Sequence, residues 1–82
     1  MSKRQGITRE RFEQVALDRG FTVVESHLNI YYSSLDRSFD EKFLTVMDGE
    51  NHVVQFNEAL LDPWIPESYV VQELDEYVEK QA

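Results

Sequence analysis

Carboxylates are the most numerous side chains in this sequence that could do chemistry, and some of them recur at regular spacing. They can exchange protons, ligate cations or contact the basic surface of a partner protein. Two groups stand out: Asp48 and Glu50 in "MDGENH", and Glu73, Asp75, Glu76 and Glu79 in "VVQELDEYVEK". The residues around these groups decide between the three uses.

Metal-binding and catalytic motifs are missing at their characteristic spacings. The two histidines, His27 and His52, have no second ligand at H-x-x-H or H-E-x-x-H spacing, and "DGENH" lacks the ligand positions of a calcium loop. The sequence has no cysteine, no serine in a G-x-S-x-G elbow and only three isolated glycines. We therefore predict that the protein is not an enzyme, needs no cofactor or metal, and acts by binding another protein.

The net charge is −8, with sixteen acidic residues against eight basic ones. Residues 40–82 hold eleven of the acids and only two lysines. Such a field opposes binding to nucleic-acid phosphates and to anionic membranes, and it favours a partner with a basic surface. Solubility is the simpler explanation of the same charge, because in many small proteins the net charge serves only to prevent self-association.

The basic start of the chain, "SKRQGITRERF", is the one candidate for an arm that contacts nucleic acid through residues such as Arg4 and Arg9. Acidic residues are interleaved with it, and residues 1–20 carry five basic against three acidic side chains, a net charge of only +2. We therefore expect the arginines of the first helix to pair with acidic residues elsewhere in the chain.

Helices are predicted near both ends of the chain. Thr8 is suited to cap a helix over residues 8–19. Pro66 fits the first position of a final helix, because its missing N–H would have no partner there. Between them, Asn57 is expected to cap a single helical turn.

Strands are predicted in the middle of the chain. Residues 41–57 read as a hairpin that turns at Asp48-Gly49, since two β-rich runs flank this dipeptide. Residues 21–35 match both a helical stripe and a strand alternation. We favour two short strands joined around Glu25–His27, or one bent strand.

These elements predict one small α+β domain over residues 1–82, with a flexible tail at residues 1–6. Its order is α-β-β-β(β)-α, with an antiparallel sheet and the N- and C-terminal helices packed on it. The order resembles that of the double-stranded RNA-binding domain in outline. Such domains grip phosphates with basic residues on the last helix, whereas here that helix is acidic, so we reject that function.

The final helix has an apolar and an acidic side. Like charges at the spacing of Glu73, Glu76 and Glu79 cost a few tenths of a kcal/mol each, and only Glu76 has a lysine, Lys80, four residues on. The usual explanation is a solvated face. The functional one is a carboxylate row that imitates nucleic-acid phosphates and occupies a basic groove. The inward face is predicted to consist of Val70, Val71, Leu74, Tyr77 and Val78.

Trp64 stands between Pro63 and Pro66, which restrict the backbone around it. A tryptophan on a stiff loop makes a good interface anchor. A tryptophan that packs into a small core is the more common arrangement, and we expect the greater part of the ring to be buried.

The sequence thus predicts a small acidic cytoplasmic protein that inhibits or regulates a partner by occupying its basic, nucleic-acid-binding surface. No secretory signal or membrane span is recognised in the sequence. Small, cysteine-free, strongly acidic single domains of this kind occur among phage-encoded inhibitors of host defence, including nucleic-acid mimics, which is an analogy of type and not of motif. A viral origin would place the protein in the host cytoplasm. The alternative is a homodimer or adaptor that uses aromatic surface around Trp64. The residues predicted to contact the partner are Asp48, Glu50, Trp64, Glu73, Asp75, Glu76 and Glu79.

Overall fold

The computed structural model describes residues 6–81, which form a helix, three antiparallel strands, a 3-10 turn and a final helix. This order confirms the predicted α+β class. Residues 1–5 of the predicted flexible tail lie outside the described residues. The elements are α1 (Arg9–Asp18), β1 (Thr22–Tyr32), β2 (Arg37–Asp48), β3 (Asn51–Asn57), the 3-10 turn (Glu58–Leu60) and α2 (Glu67–Gln81).

The helix ends follow local capping chemistry. Thr8 caps α1 as predicted, because its Oγ1 accepts a hydrogen bond from the backbone N–H of Arg11 at 3.2 Å. Pro66 lies one position earlier than predicted: its carbonyl accepts from the N–H of Val70 at 3.4 Å, so it occupies the cap and not the first helical position. Neither helix within residues 6–81 is long and apolar enough to cross a membrane.

Residues 22–32 form one continuous strand, so the prediction of two short strands joined around Glu25–His27 is wrong. β1 lies antiparallel to β2 along its whole length, in eleven opposed pairs. The partner strand offers hydrogen bonds to the backbone whatever the side chains are, and this long-range pairing outweighs the ambiguous local pattern. Residues 33–36 then form the turn into β2.

β2 and β3 form the hairpin predicted at Asp48-Gly49. Asp48 lies opposite Asn51, so the turn itself is Gly49–Glu50, and Gly49 has a φ of 63°. A positive φ at the first of two turn residues is the type II′ pattern, whose twist suits an antiparallel pair. After β3, the Asn57 side chain accepts from the N–H of Ala59 at 3.0 Å and caps the 3-10 turn as predicted.

The core lies between the helices and one face of the sheet. Phe12 on α1 packs edge-to-face on Phe56 of β3, with ring centroids 5.6 Å apart. Burial of apolar side chains at this interface is the main source of stability in a domain of this size. The largest fully buried side chains are Phe12, Val15, Leu44, Val46, Leu61, Val70 and Leu74.

The sheet is longer than the helical layer that covers it. β3 pairs with β2 only at positions 43–48, so residues 28–41 project as a two-stranded ribbon, called the β1–β2 arm below. The radius of gyration is 14.4 Å, whereas a compact chain of this length is expected at about 12 Å. The arm therefore makes the molecule less compact than its size allows.

Candidate functional site

The acidic row of α2 winds from the sheet side of the helix to its outer side. Val70 and Leu74 are fully buried and fix the inner face. Glu73 is half-buried beside that face, whereas Glu76 and Glu79 are exposed. A step of three residues turns an α-helix by about 300°, so the row drifts by about 60° per carboxylate. The three carboxylates thus form an oblique stripe and not a straight ridge.

The β2–β3 turn lies beside this stripe. The Tyr77 hydroxyl donates a hydrogen bond to Oδ2 of Asp48 at 3.1 Å, and Tyr77 follows Glu73 by one helical turn. Partial burial, together with the hydrogen bond to Asp48, raises the pKa of Tyr77. The hydroxyl therefore stays protonated at neutral pH and continues to hold Asp48 against α2. The structure brings the acidic turn and the acidic helix to the same part of the molecule.

Most of these carboxylates form no ion pair with a basic side chain of the described residues. Within residues 6–81, no ion pair forms at Glu73, Glu79 or Glu50, and Lys80 does not reach Glu76, which accepts instead from Gln72 at 3.1 Å. The group Asp48, Glu50, Glu73, Glu76 and Glu79 is called the acidic side below.

Asp75 belongs to a different environment. Arg19 at the end of α1 donates from Nε to Oδ1 of Asp75 at 2.9 Å, and the Arg19 side chain is only 25% exposed. This places Asp75 on the side of α2 that faces α1, one helical turn before Glu79 at the end of the stripe. Of the acidic residues predicted to contact a partner, Asp75 is the one that forms an ion pair within residues 6–81.

The arginines of α1 pair with acidic residues of this chain, as predicted. Arg9 contacts Glu13, Glu25 and Glu58 at 2.6–2.8 Å, and thus ties α1 to β1 and to the 3-10 turn. Arg11 donates from Nε and Nη2 to both carboxylate oxygens of Glu67, at 2.7 and 3.0 Å. Arg4, the other member of the candidate nucleic-acid arm, lies outside the described residues. The described basic residues of α1 are therefore occupied in holding the fold together.

The Arg11–Glu67 pair makes stability depend on pH. Hydrogen bonding to Arg11 holds the pKa of Glu67 below its usual value of 4.5. A carboxyl with a lowered folded-state pKa stabilises the fold above its unfolded pKa, and this contribution is lost as the pH falls through the folded pKa. We expect Glu67→Gln to lower the thermal midpoint at neutral pH and to have a progressively smaller effect as the pH falls below 4.5 and Glu67 becomes protonated.

Thermal unfolding followed by circular dichroism across this pH range tests the expectation. Glu10→Gln is the matched control, because Glu10 is an exposed first-turn acid of α1 without an ion pair among the described residues. If Glu67→Gln lowered the thermal midpoint equally at both ends of the pH range, the result would contradict the role of the ion pair.

Trp64 is 56% exposed, so the prediction that most of its ring is buried is wrong. Its loop is anchored by its neighbours. Leu61 is only 2% exposed, and Ile65 packs against the core and donates from its N–H to the Leu61 carbonyl at 3.0 Å. The loop thus has Leu61 and Ile65 against the core and Trp64 at the surface. Val78, predicted on the inner face of α2, is likewise exposed, at 45%.

One surface was not predicted at all. Opposed residues of paired strands share a face, and the helices cover only the face that carries Leu44 and Val46. The other face, called the open face below, has no described helix packed on it, yet it is rich in apolar side chains. The alternation of Leu28, Ile30 and Tyr32 was visible in the sequence, but it did not show which side was covered. The apolar residues of the open face are Val24, Leu28, Ile30, Tyr32, Phe39, Phe43 and Met47.

Groups suited to metal binding do not assemble in the described part of the chain. Across residues 6–81, no cluster of three or more His, Cys, Asp or Glu side chains is placed to hold an ion. A cleft of about 350 Å³ lies between β2 and the 3-10 turn, but its Glu58 is already bound by Arg9 and Lys42. That the protein is not an enzyme stays a prediction. Comparison of the chain with protein-family models, with curated proteins and with solved structures gives no significant match.

Proposed function

We propose that this protein is a non-enzymatic binding protein that inhibits or regulates its target by covering a basic, nucleic-acid-binding surface. The observation that carries the proposal is the position of the acidic side. The β2–β3 turn and α2 present these carboxylates together, while the arginines of α1 and the neighbouring Arg19 pair with acidic residues outside this group. Carboxylates that form no ion pair within the described residues give a negative field, which steers the chain towards basic partners and away from nucleic acid.

The binding surface follows from the same contacts. Asp48, Glu50, Glu73, Glu76 and Glu79 supply the charge, with Trp64 as a separate exposed anchor. Asp75 contributes less in this proposal, because Arg19 already neutralises it. The site of action is the cytoplasm, or the host cytoplasm if the chain is viral.

Salt dependence of capture tests the proposal. Tagged protein is used to capture binding partners from a lysate of its native host at about 0.05 and 0.5 M salt, where screening lengths differ about threefold. We expect capture of a basic protein at low salt and its loss at high salt. A triple variant, Glu73→Gln, Glu76→Gln and Glu79→Gln, is expected to capture at least tenfold less, since removal of about 1.4 kcal/mol of binding energy is tenfold in affinity.

A matched control separates the surface from the total charge. The triple variant Glu10→Gln, Asp18→Asn and Asp40→Asn removes the same three charges from exposed positions outside the acidic side, and it is expected to capture like the unchanged protein. Capture that resists salt and tolerates the substitutions in α2 would reject the charge-based proposal.

A second candidate function, an adaptor or dimer built on aromatic surface, is favoured by the exposure of Trp64 and of Tyr69, which is 47%. Tyr69 packs edge-to-face on Phe56, with centroids 6.2 Å apart, so part of the surface is rigid. In this case Trp64→Ala abolishes association, whereas the triple Gln variant of α2 has little effect.

A further inference from the structure

The β1–β2 arm carries its apolar side chains mainly on the open face. Near the core, the helix-facing side carries Leu44 and Val46. Along the arm, that side carries polar pairs such as Asn29 opposite Asp40, whereas the open face carries Ile30 opposite Phe39. Near the core both faces of the sheet therefore carry apolar side chains, whereas along the arm they lie mainly on the uncovered face.

Exposure of these side chains is costly. Leu28 is 51% exposed, Phe39 38% and Tyr32 37%, and they adjoin one another on a ribbon that has no third strand among residues 6–81. Isolated two-stranded ribbons are marginal in water and need a packing layer. A contiguous apolar patch on a sheet is the usual mark of an interaction surface.

Two charged residues on the open face indicate which kind of partner binds there. Arg37 and Glu41 lie on β2 two residues to either side of Phe39, so all three share the open face. Neither charge has an ion-pair partner within residues 6–81. The Arg37 guanidinium lies 5.4 Å from the Phe39 ring centroid, and Glu41 accepts a hydrogen bond from the Tyr32 hydroxyl at 3.2 Å. Both charges are thus held beside the central phenylalanine.

We infer that the open face binds a second copy of this chain, in a two-fold symmetric dimer centred on Phe39. A two-fold axis between two stacked sheets, running across the strands, reverses the strand direction in the partner copy. It therefore places Arg37 of each protomer against Glu41 of the other, twice in one interface, with the apolar residues between them. Such an interface is self-complementary, as two-fold symmetry requires.

The charge distribution permits this assembly. Among the strand positions on the open face Glu41 is the sole carboxylate, whereas Asp48 lies on the helix-facing side, where it contacts Tyr77. Two copies with a net charge of −8 each thus meet on the face where like charges are fewest. The acidic side of each protomer stays outside the interface, so the dimer does not depend on the proposed function.

Charge exchange tests the dimer. Sedimentation velocity of the unchanged protein is expected to show a dimer of the 9.7 kDa chain. Arg37→Glu and Glu41→Arg, each alone, place like charges together twice and are expected to weaken the dimer at least tenfold. An equimolar mixture of the two variants is expected to restore it, because each new charge then meets an opposite one across the interface.

Restoration of the dimer in the mixture also shows that both variants are folded. Circular dichroism of each variant checks this separately. A monomer at the highest soluble concentration would overturn the inference and leave the open face to another protein. A dimer that neither substitution weakens, or a mixture that stays monomeric, would equally overturn it.

Discussion

Leu44→Ala is expected to lower the free energy of unfolding by about 2–5 kcal/mol, the largest loss of stability that we predict for a single side chain. Leu44 is fully buried at the centre of β2, among Val46, Phe56 and the inner faces of the helices. Truncation removes its transfer free energy and leaves a cavity that the sheet cannot close. A domain of this length has about 4–12 kcal/mol of stability in total. The variant therefore loses a large share of it.

Leu28→Ala is the matched control for the assignment of the two faces. It makes the same chemical change on the strand opposite β2, but Leu28 lies on the open face and is 51% exposed. The free energy of unfolding of the Leu28→Ala variant is expected to fall by about 1 kcal/mol or less in the monomer. Urea denaturation at a concentration at which the protein is monomeric compares the two variants. Equal losses would contradict the position of the core on the helix-facing side alone.

Much of the fold could be predicted because its determinants are local. The Thr8 cap, the Gly49 turn and the Asn57 cap each depend on residues within a few positions, and the structure has all three. Arg9, Arg11 and Arg19 were expected to pair within the chain on charge alone, and they do. Neither the caps and the turn nor the ion pairing of the arginines required knowledge of which helices and strands pack together.

The remaining features depend on contacts between distant parts of the chain. Residues 22–32 are one strand because β2 lies beside all of them, and nothing in their own pattern separates this from a broken strand. Trp64 is exposed, whereas its loop neighbours Leu61 and Ile65 pack with the core. Burial of a side chain depends on its neighbours in space, which spacing alone does not reveal.

The positions of the acidic residues in the candidate site could be predicted from the sequence. Which of them form ion pairs within the chain could not. The row Glu73, Glu76 and Glu79 was visible from its spacing, but the pairing of Asp75 with Arg19 depends on how α1 packs on α2. The apolar open face was missed for a related reason. A strand alternation shows that two faces differ, and only the position of the helices shows which one stays uncovered.

Charge reversal of α2 is expected to weaken the partner complex by about 100-fold or more, the largest effect that we predict on binding. In the triple variant Glu73→Lys, Glu76→Lys and Glu79→Lys, three attractive contacts with a basic surface become repulsive. The control variant, Glu10→Lys, Asp18→Lys and Asp40→Lys, makes the same change elsewhere. Each substitution adds two units of positive charge, so both variants carry −2 in place of −8. The control is expected to keep most of the affinity.

Competition with nucleic acid tests the central claim most directly. The captured partner is loaded with fluorescently labelled nucleic acid, and anisotropy is followed as this protein is added. We predict that the unchanged protein and the control variant displace the nucleic acid, whereas the Lys variant of α2 does not. A ternary complex, in which the unchanged protein and the nucleic acid are bound to the partner together, would contradict the claim that the acidic side occupies the nucleic-acid-binding surface.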